Sequence, residues 1–235
     1  IMPFADAWDE AGEIPWELHQ KTGALGVWGF GIDEAYGGLG FDDCFMRAAF
    51  NEEFGRSGTG GVGAAMNGRM ISIEPIHRLA SPEIKDRVLG DIIAGRKGSS
   101  LSITEPGGGS DVANMKTTAK RDGNHFVLNG QKTFITGGMT SDYFIIGART
   151  GGEGLKGISL FFVDADAPGF SRTSLPRKQG WWASDQATLY FDDCRVPAAN
   201  LMGAENRGFV AIMENFNFER LSLVAGAVGM MKTCL

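Results

Sequence analysis

The chain has 235 residues, of which 43% are hydrophobic and 21% charged. These are the proportions of a folded globular protein and exclude a disordered, collagenous or coiled-coil chain. A net charge of −6 and a pI near 5.1 argue against a nucleic-acid binder with a basic face, but leave room for a phosphate-bearing small ligand held by backbone amides.

The first part of the chain reads as helices. A helix over 15–25 opens with Pro15 and closes near Gly26, as proline and glycine favour opposite helix ends. A second over 41–54 places Phe45, Ala48, Ala49 and Phe50 on helical spacings behind Asp42 and Asp43. A third begins with Ser81 as cap, Pro82 and Glu83, and carries the stripe Ile84, Val88, Leu89, Ile92 and Ile93 to Gly95. Between them, residues 58–63 spell a Gly-x-Gly-x-x-Gly pattern. That pattern signals a dinucleotide only between a strand and a helix. Here it follows a helix end and reads as a helix–helix connection.

From Ser99 the period changes to short β-rich runs at 99–104, 114–120, 125–128, 132–136, 143–149, 157–164, 170–175 and 187–192. Turn residues separate them, and Asn129-Gly130 reads as a hairpin turn. Strands this close together, without intervening helices, predict an antiparallel barrel or sandwich. After Pro197 the helical period returns, with Phe209, Ile212, Met213, Phe216, Leu223, Val224 and Ala227 on one long helix. The expected fold class is α+β: an N-terminal helical domain over 1–97, a middle β domain over 98–200, and the first helix of a C-terminal bundle over 201–235.

The cysteines Cys44, Cys194 and Cys234 and the three histidines have no metal-ligand spacing, so no disulfide framework, no metal and a reducing compartment are expected. The apolar runs are too short for a membrane span. No secretory signal is visible, and a start at Ile1 rather than a methionine suggests a missing natural N-terminus.

Glycine is over-represented, with 35 residues against a usual share of roughly 7%. The most informative cluster is Thr104-Glu105-Pro106-Gly107-Gly108-Gly109-Ser110-Asp111. Its bare amides and hydroxyls suit either an ordinary wide turn or an anionic ligand. With Leu101, Ser102 and Ile103 before it, this stretch resembles the Thr-Glu-Pro-x-x-Gly-Ser-Asp signature of the acyl-CoA dehydrogenase family. Tyr36-Gly37-Gly38-Leu39-Gly40 resembles the family's N-terminal glycine turn. Asn129-Gly130-Gln131-Lys132-Thr133-Phe134-Ile135-Thr136-Gly137 resembles its central strand. Phe191-Asp192-Asp193-Cys194-Arg195-Val196-Pro197, followed by Leu201-Met202-Gly203, resembles its exit from the β domain.

The resemblance implies FAD as cofactor and an acyl-CoA substrate, oxidised to the trans-2-enoyl-CoA in fatty-acid or amino-acid catabolism. Electrons would pass to an electron-transfer flavoprotein. It implies FAD contacts from Leu101, Ile103, Thr104, Gly109, Ser110, Phe134, Ile135 and Thr136, with Thr136 near flavin N5 and Ser110 also reaching the CoA ligand. On the long helix, Glu219-Arg220-Leu221 matches the triplet of the isovaleryl-CoA and long-chain branches, whose glutamate is the catalytic base. Asn217 and Arg220 would contact CoA, although asparagine departs from the more frequent aspartate. Alternatives are a flavin oxidase or monooxygenase of the same superfamily, or a non-catalytic acyl-CoA or flavin-binding fragment. The family also implies a homodimer or homotetramer at full length, located in the cytoplasm of a bacterium or in the mitochondrial matrix.

Overall fold

The computed structural model describes residues 1–175 and 178–235. Helix α1 (Ala5–Ala11) stops at Gly12, whose φ of 77° suits glycine. Helix α2 (Trp16–Ala24) follows Pro15 directly. Helix α3 (Cys44–Gly55) is capped by Asp43, whose Oδ1 accepts from the amides of Phe45 and Met46 at 2.8 and 2.9 Å. Helix α5 (Pro82–Ile93) starts on Ser81, whose Oγ accepts from the Ile84 amide at 3.4 Å, and buries the expected apolar stripe.

Helix α4 (Gly60–Leu79) is longer than anything the sequence announces before residue 99. Residues 58–63 are therefore only in part a connection: Gly60, Gly61 and Gly63 form the first turn of α4. Four glycines and the internal Pro75 mask its period, because both residue types are poor helix formers. Burial of Val62, Met66, Ile73 and Ile76 in the core supplies what propensity does not.

Among the described residues, eight strands form one sheet: β1 (Ser99–Ser102), β2 (Thr118–Asp122), β3 (His125–Thr136), β4 (Tyr143–Arg149), β5 (Ile158–Asp164), β6 (Phe170–Ser174), β7 (Gln186–Pro197) and β8 (Leu201–Met202). The order is β6-β7-β3-β2-β4-β5-β8, with β1 also paired to β4. Pairing is antiparallel except where β4 meets β1 and β2, which run parallel to it.

The hairpin expected at Asn129-Gly130 is not there. Residues 125–136 are a single strand, and the hairpin joins β2 to β3 through Gly123-Asn124. Asn129-Gly130 instead marks a break in register against β7. Gly130 has φ 141°, and an added Cβ would lie 2.7 Å from Thr117 Cα. Asn129 and Asp193 lock this irregularity across the strands, with Asn129 Nδ2 donating to Asp193 Oδ1 and the Asp193 amide donating to Asn129 Oδ1, both at 3.0 Å. A flexible dipeptide serves a bulge as readily as a turn.

Inside the β part, Phe126, Leu128, Ile135, Phe144, Ile146, Phe161, Leu189 and Val196 form one apolar core. The opposite faces of β4 and β5, through Ile145, Leu160 and Phe162, belong to the core that contains α4 and α5. Both strands are buried on two sides, which explains their nearly continuous apolar sequences. Helix α6 (Gly208–Cys234) leaves Leu223, Val224 and Met231 exposed on one side. It lies on α3, where Lys232 pairs with Glu52 and Thr233 Oγ1 donates to the Arg56 carbonyl. Among the described residues, no helix is long and apolar enough to cross a membrane.

Candidate active site

The extension beyond β1, the end of β3, the middle of α4 and the middle of α6 converge on a hollow of about 170 Å³. Leu101, Ile103, Thr104, Phe134, Ile135, Thr136, Phe216 and Glu219 all line it. Phe134 reaches this position by strain. It falls in a register break between β3 and β7, takes φ 57° and is 67% exposed. A bulky residue in the left-handed region costs of order 1–3 kcal/mol, and such strain gathers at functional sites. The break turns an aromatic ring out of the β core towards the hollow.

Thr136 is fixed on two sides. Its carbonyl accepts from Ser100 Oγ at 2.7 Å, and its Oγ1 accepts from Gln186 Nε2 at 2.7 Å. With Oγ1 accepting, the hydroxyl hydrogen is free to donate to a third group. Gly68 on α4 makes room: an added Cβ would sit 2.6 Å from Thr136 Cγ2.

A second, longer cavity of about 220 Å³ runs between α3, α4 and α6. It shares four residues with the hollow: Gly68, Ile71, Thr136 and Glu219. Glu219 therefore stands where the two spaces meet. Burial pushes its carboxyl above the usual carboxylate range, against the pull of the neighbouring Arg220 guanidinium. A half-buried carboxylate with reduced preference for ionisation is suited to accept a proton.

The structure does not bring every expected residue to this hollow. Gly109 and Ser110 lie on the exposed turn after Thr104, and Asn217 and Arg220 lie on the exposed side of α6. Arg220 Nη1 donates to Asn217 Oδ1 at 3.2 Å, so the two do share a helix face. An added Cβ at Gly107 would meet nothing, and those at Gly108 and Gly109 would meet neighbours no closer than 3.7 and 3.5 Å. Nothing inside the protein demands glycine there, whereas a ligand lying against the backbone would.

Other residues of the site are silent in the sequence reading. Gly68, Ile71 and Gln186 carry no signal in the sequence, the first two because glycines and Pro75 mask the period of α4. Glu105 and Lys132 sit inside quoted motifs, and their charge in a β-rich run was the available signal. Lys132 is fully buried; its Nζ donates to Glu105 Oε1 at 2.8 Å and to the Ile103 carbonyl at 3.1 Å. Glu105 also accepts from the amides of Lys116 at 2.6 Å and Thr117 at 2.9 Å. This cluster holds the backbone on either side of Thr104 and binds it to β3.

The residues present fit a flavin. Apolar walls from Leu101, Ile103 and Ile135 and an exposed aromatic ring suit a flat heteroaromatic ring. The hydroxyls of Thr104 and Thr136 suit its polar edge.

Comparison with known proteins identifies the family. The model of the acyl-CoA dehydrogenase N-terminal domain matches residues 1–96, and that of the acyl-CoA dehydrogenase middle domain matches residues 100–194. The chain is 36% identical over 231 residues to the mitochondrial long-chain specific acyl-CoA dehydrogenase of Rattus norvegicus, covering 97% of this chain and 53% of that protein. Among solved structures, a putative acyl-CoA dehydrogenase from Mycobacterium smegmatis superposes with a TM-score of 0.95 at 42% identity, over 100% of this chain and 61% of the other. A glutaryl-CoA dehydrogenase from the same organism, in complex with FADH2, superposes with a TM-score of 0.88 at 31% identity, over 97% and 57%. The chain thus spans little more than half the length of these relatives. With both family models matched in order and the strained aromatic, hydroxyls and carboxylate gathered at one junction, this chain belongs to the acyl-CoA dehydrogenase family.

Proposed function

We propose that this chain carries the flavin- and acyl-binding part of an FAD-dependent acyl-CoA dehydrogenase, which converts an acyl-CoA thioester to its trans-2-enoyl-CoA. The observation that carries this reading is the position of Glu219 and Thr136 on the walls of both the hollow and the cavity. A thioester whose acyl chain fills the cavity presents its α- and β-carbons at that junction. Leu101, Ile103, Thr104, Phe134, Ile135 and Thr136 would hold FAD, which supplies the two-electron acceptor for the β-hydride. The complex of the M. smegmatis glutaryl-CoA dehydrogenase with FADH2 supports the same cofactor here.

The chain's own residues account for the proton. An α-carbon is a weak acid, so its base must be close, poorly solvated and opposite the departing hydride. Glu219 would be that base: it is half-buried where the hollow and the cavity meet, and burial raises its carboxyl above the usual range. Thr136, oriented by Gln186, donates a hydrogen bond at the edge of the ring site. Phe134 and Ile135 exclude water. Ser110, Asn217 and Arg220, all exposed, suit the solvated CoA portion. Onward transfer goes to an electron-transfer flavoprotein, and the full-length protein is a homodimer or homotetramer.

The test is bleaching of the flavin band on addition of acyl-CoA. Glu219→Gln is expected to slow it by about 10²–10⁴-fold with FAD still bound. Bleaching at the parent rate sinks the assignment. Thr136→Val is expected to slow reduction and retain FAD. Rapid reoxidation of the reduced protein in air points instead to an oxidase.

A further inference from the structure

The 220 Å³ cavity has a neighbour. A groove of about 370 Å³ lies beneath α1 and reaches the surface past Met2 and Gly58, both exposed. The two spaces share Ser57, Thr59, Gly60 and Trp181. We propose that Trp181 is the end wall of the acyl chamber and sets the length of chain the protein accepts. The proposal rests on reading the 220 Å³ cavity as the place of the acyl chain.

Three observations bear on the position of this half-exposed indole. Trp181 comes from the β part, on the segment before β7, and takes φ 57°, an outlier conformation for so large a side chain. Its backbone is clamped: the Trp181 carbonyl accepts from Lys178 Nζ at 2.6 Å and from the Ser184 amide at 3.1 Å. Two residues on, the Ala183 amide donates to Asp9 Oδ1 of α1 at 2.9 Å. On the opposite side, the first turn of α4 is bare. An added Cβ on Gly60 would overlap the indole Nε1, and one on Gly61 would lie 3.1 Å from Trp181 Cα. The glycines that imitate a dinucleotide motif thus make room for a tryptophan from the other part of the molecule.

An end wall predicts a length-dependent affinity. Each methylene that leaves water for an apolar chamber strengthens binding by about fourfold. The gain must stop where the indole stands. With the ring removed, a longer chain passes Gly60 into the groove under α1 and the gain continues.

The experiment measures binding of non-oxidisable 3-thiaacyl-CoAs, from butyryl to palmitoyl length, to the FAD-loaded protein by titration calorimetry. In the parent protein affinity should rise and then level off or fall with length. In Trp181→Ala the affinity of the longest ligands relative to the shortest should rise by about tenfold or more. Trp181→Gly, which suits the left-handed backbone and also lacks the ring, should behave in the same way and serves if the alanine variant does not fold. An identical length profile in parent and variants overturns the proposal. Failure of the parent to bind any of the ligands overturns the reading beneath it, and that failure is visible before any variant is made.

Discussion

Glu105 and Lys132 show how a single pair can set the geometry of a site it does not line. The lysine is buried completely and the carboxylate nearly so. Burial pulls the Lys132 ammonium down to about 8, against the opposing charge of Glu105. Burial also pushes the Glu105 carboxyl up, but the Lys132 charge and its hydrogen bonds outweigh this and hold it below the usual range. Taking two charges out of water is costly, and the pair is tolerable only because each keeps its partners. Lys132→Met is therefore expected to destabilise the protein by about 3–5 kcal/mol, since it strands a buried carboxylate. Adding Glu105→Gln should restore much of that loss. A double-mutant cycle followed by urea unfolding decides the matter, and additive losses would show that the two residues do not act as a pair.

Helices α3 and α6 cross over glycines, and Gly226 and Gly229 on α6 are not equivalent. An added Cβ on Gly229 would overlap the Glu52 carbonyl oxygen, whereas one on Gly226 would meet only Asn51 O at 3.7 Å. Gly229→Ala should force the helices apart and cost about 1–3 kcal/mol. Gly226→Ala should be neutral or stabilise by up to about 1 kcal/mol through helix propensity. Thermal unfolding should come earlier in Gly229→Ala and unchanged or later in Gly226→Ala; equal losses would mean the crossing is not set by backbone contact. The same local logic separates what was legible in the sequence from what was not. The starts of α2 and α5 were readable because Pro15 and Ser81 act on their own helices, whereas α3, expected from residue 41, begins at Cys44 behind its cap Asp43. The bulge at Asn129-Gly130 was not readable, because its partner Asp193 is distant in sequence. Helix α4 was hidden for a related reason: its glycines answer to Thr136 and Trp181, which come from elsewhere. At the site, hydroxyls and an acid inside motifs could be read directly. Gln186, Ile71 and the Trp181 wall depend on how the helical and β parts meet.

That meeting is also where sensitivity to acid is expected. Arg69 of α4 is buried, with its guanidinium carbon 4.4 Å from the centre of the Trp16 ring. Its Nε donates to His19 Nε2 of α2 at 3.3 Å, and its Nη2 reaches Thr140 Oγ1 of the β part at 3.5 Å. Trp28 closes the other side through Nε1 donating to the His19 carbonyl at 3.2 Å. His19 is therefore a neutral acceptor in a place that resists a proton. Burial, and then the Arg69 charge, lower its pKa from 6.5 to about 3. The unfolded chain binds that proton near pH 6.5, while the folded protein does so only near pH 3. Between these values the unfolded state holds more protons, so stability falls as pH falls and is fully present above the unfolded pKa. Going from pH 7 to pH 5, this single imidazole is expected to remove about 2 kcal/mol. His19→Gln keeps an oxygen acceptor for Arg69 and cannot titrate, so its stability should fall by about 2 kcal/mol less over the same interval. Urea unfolding of both proteins at the two pH values measures the difference. Equal slopes would move the acid sensitivity away from the joint between the helices and the sheet. A flattened slope in the variant assigns it to one ring, held neutral where α2, α4 and the β part are fastened together.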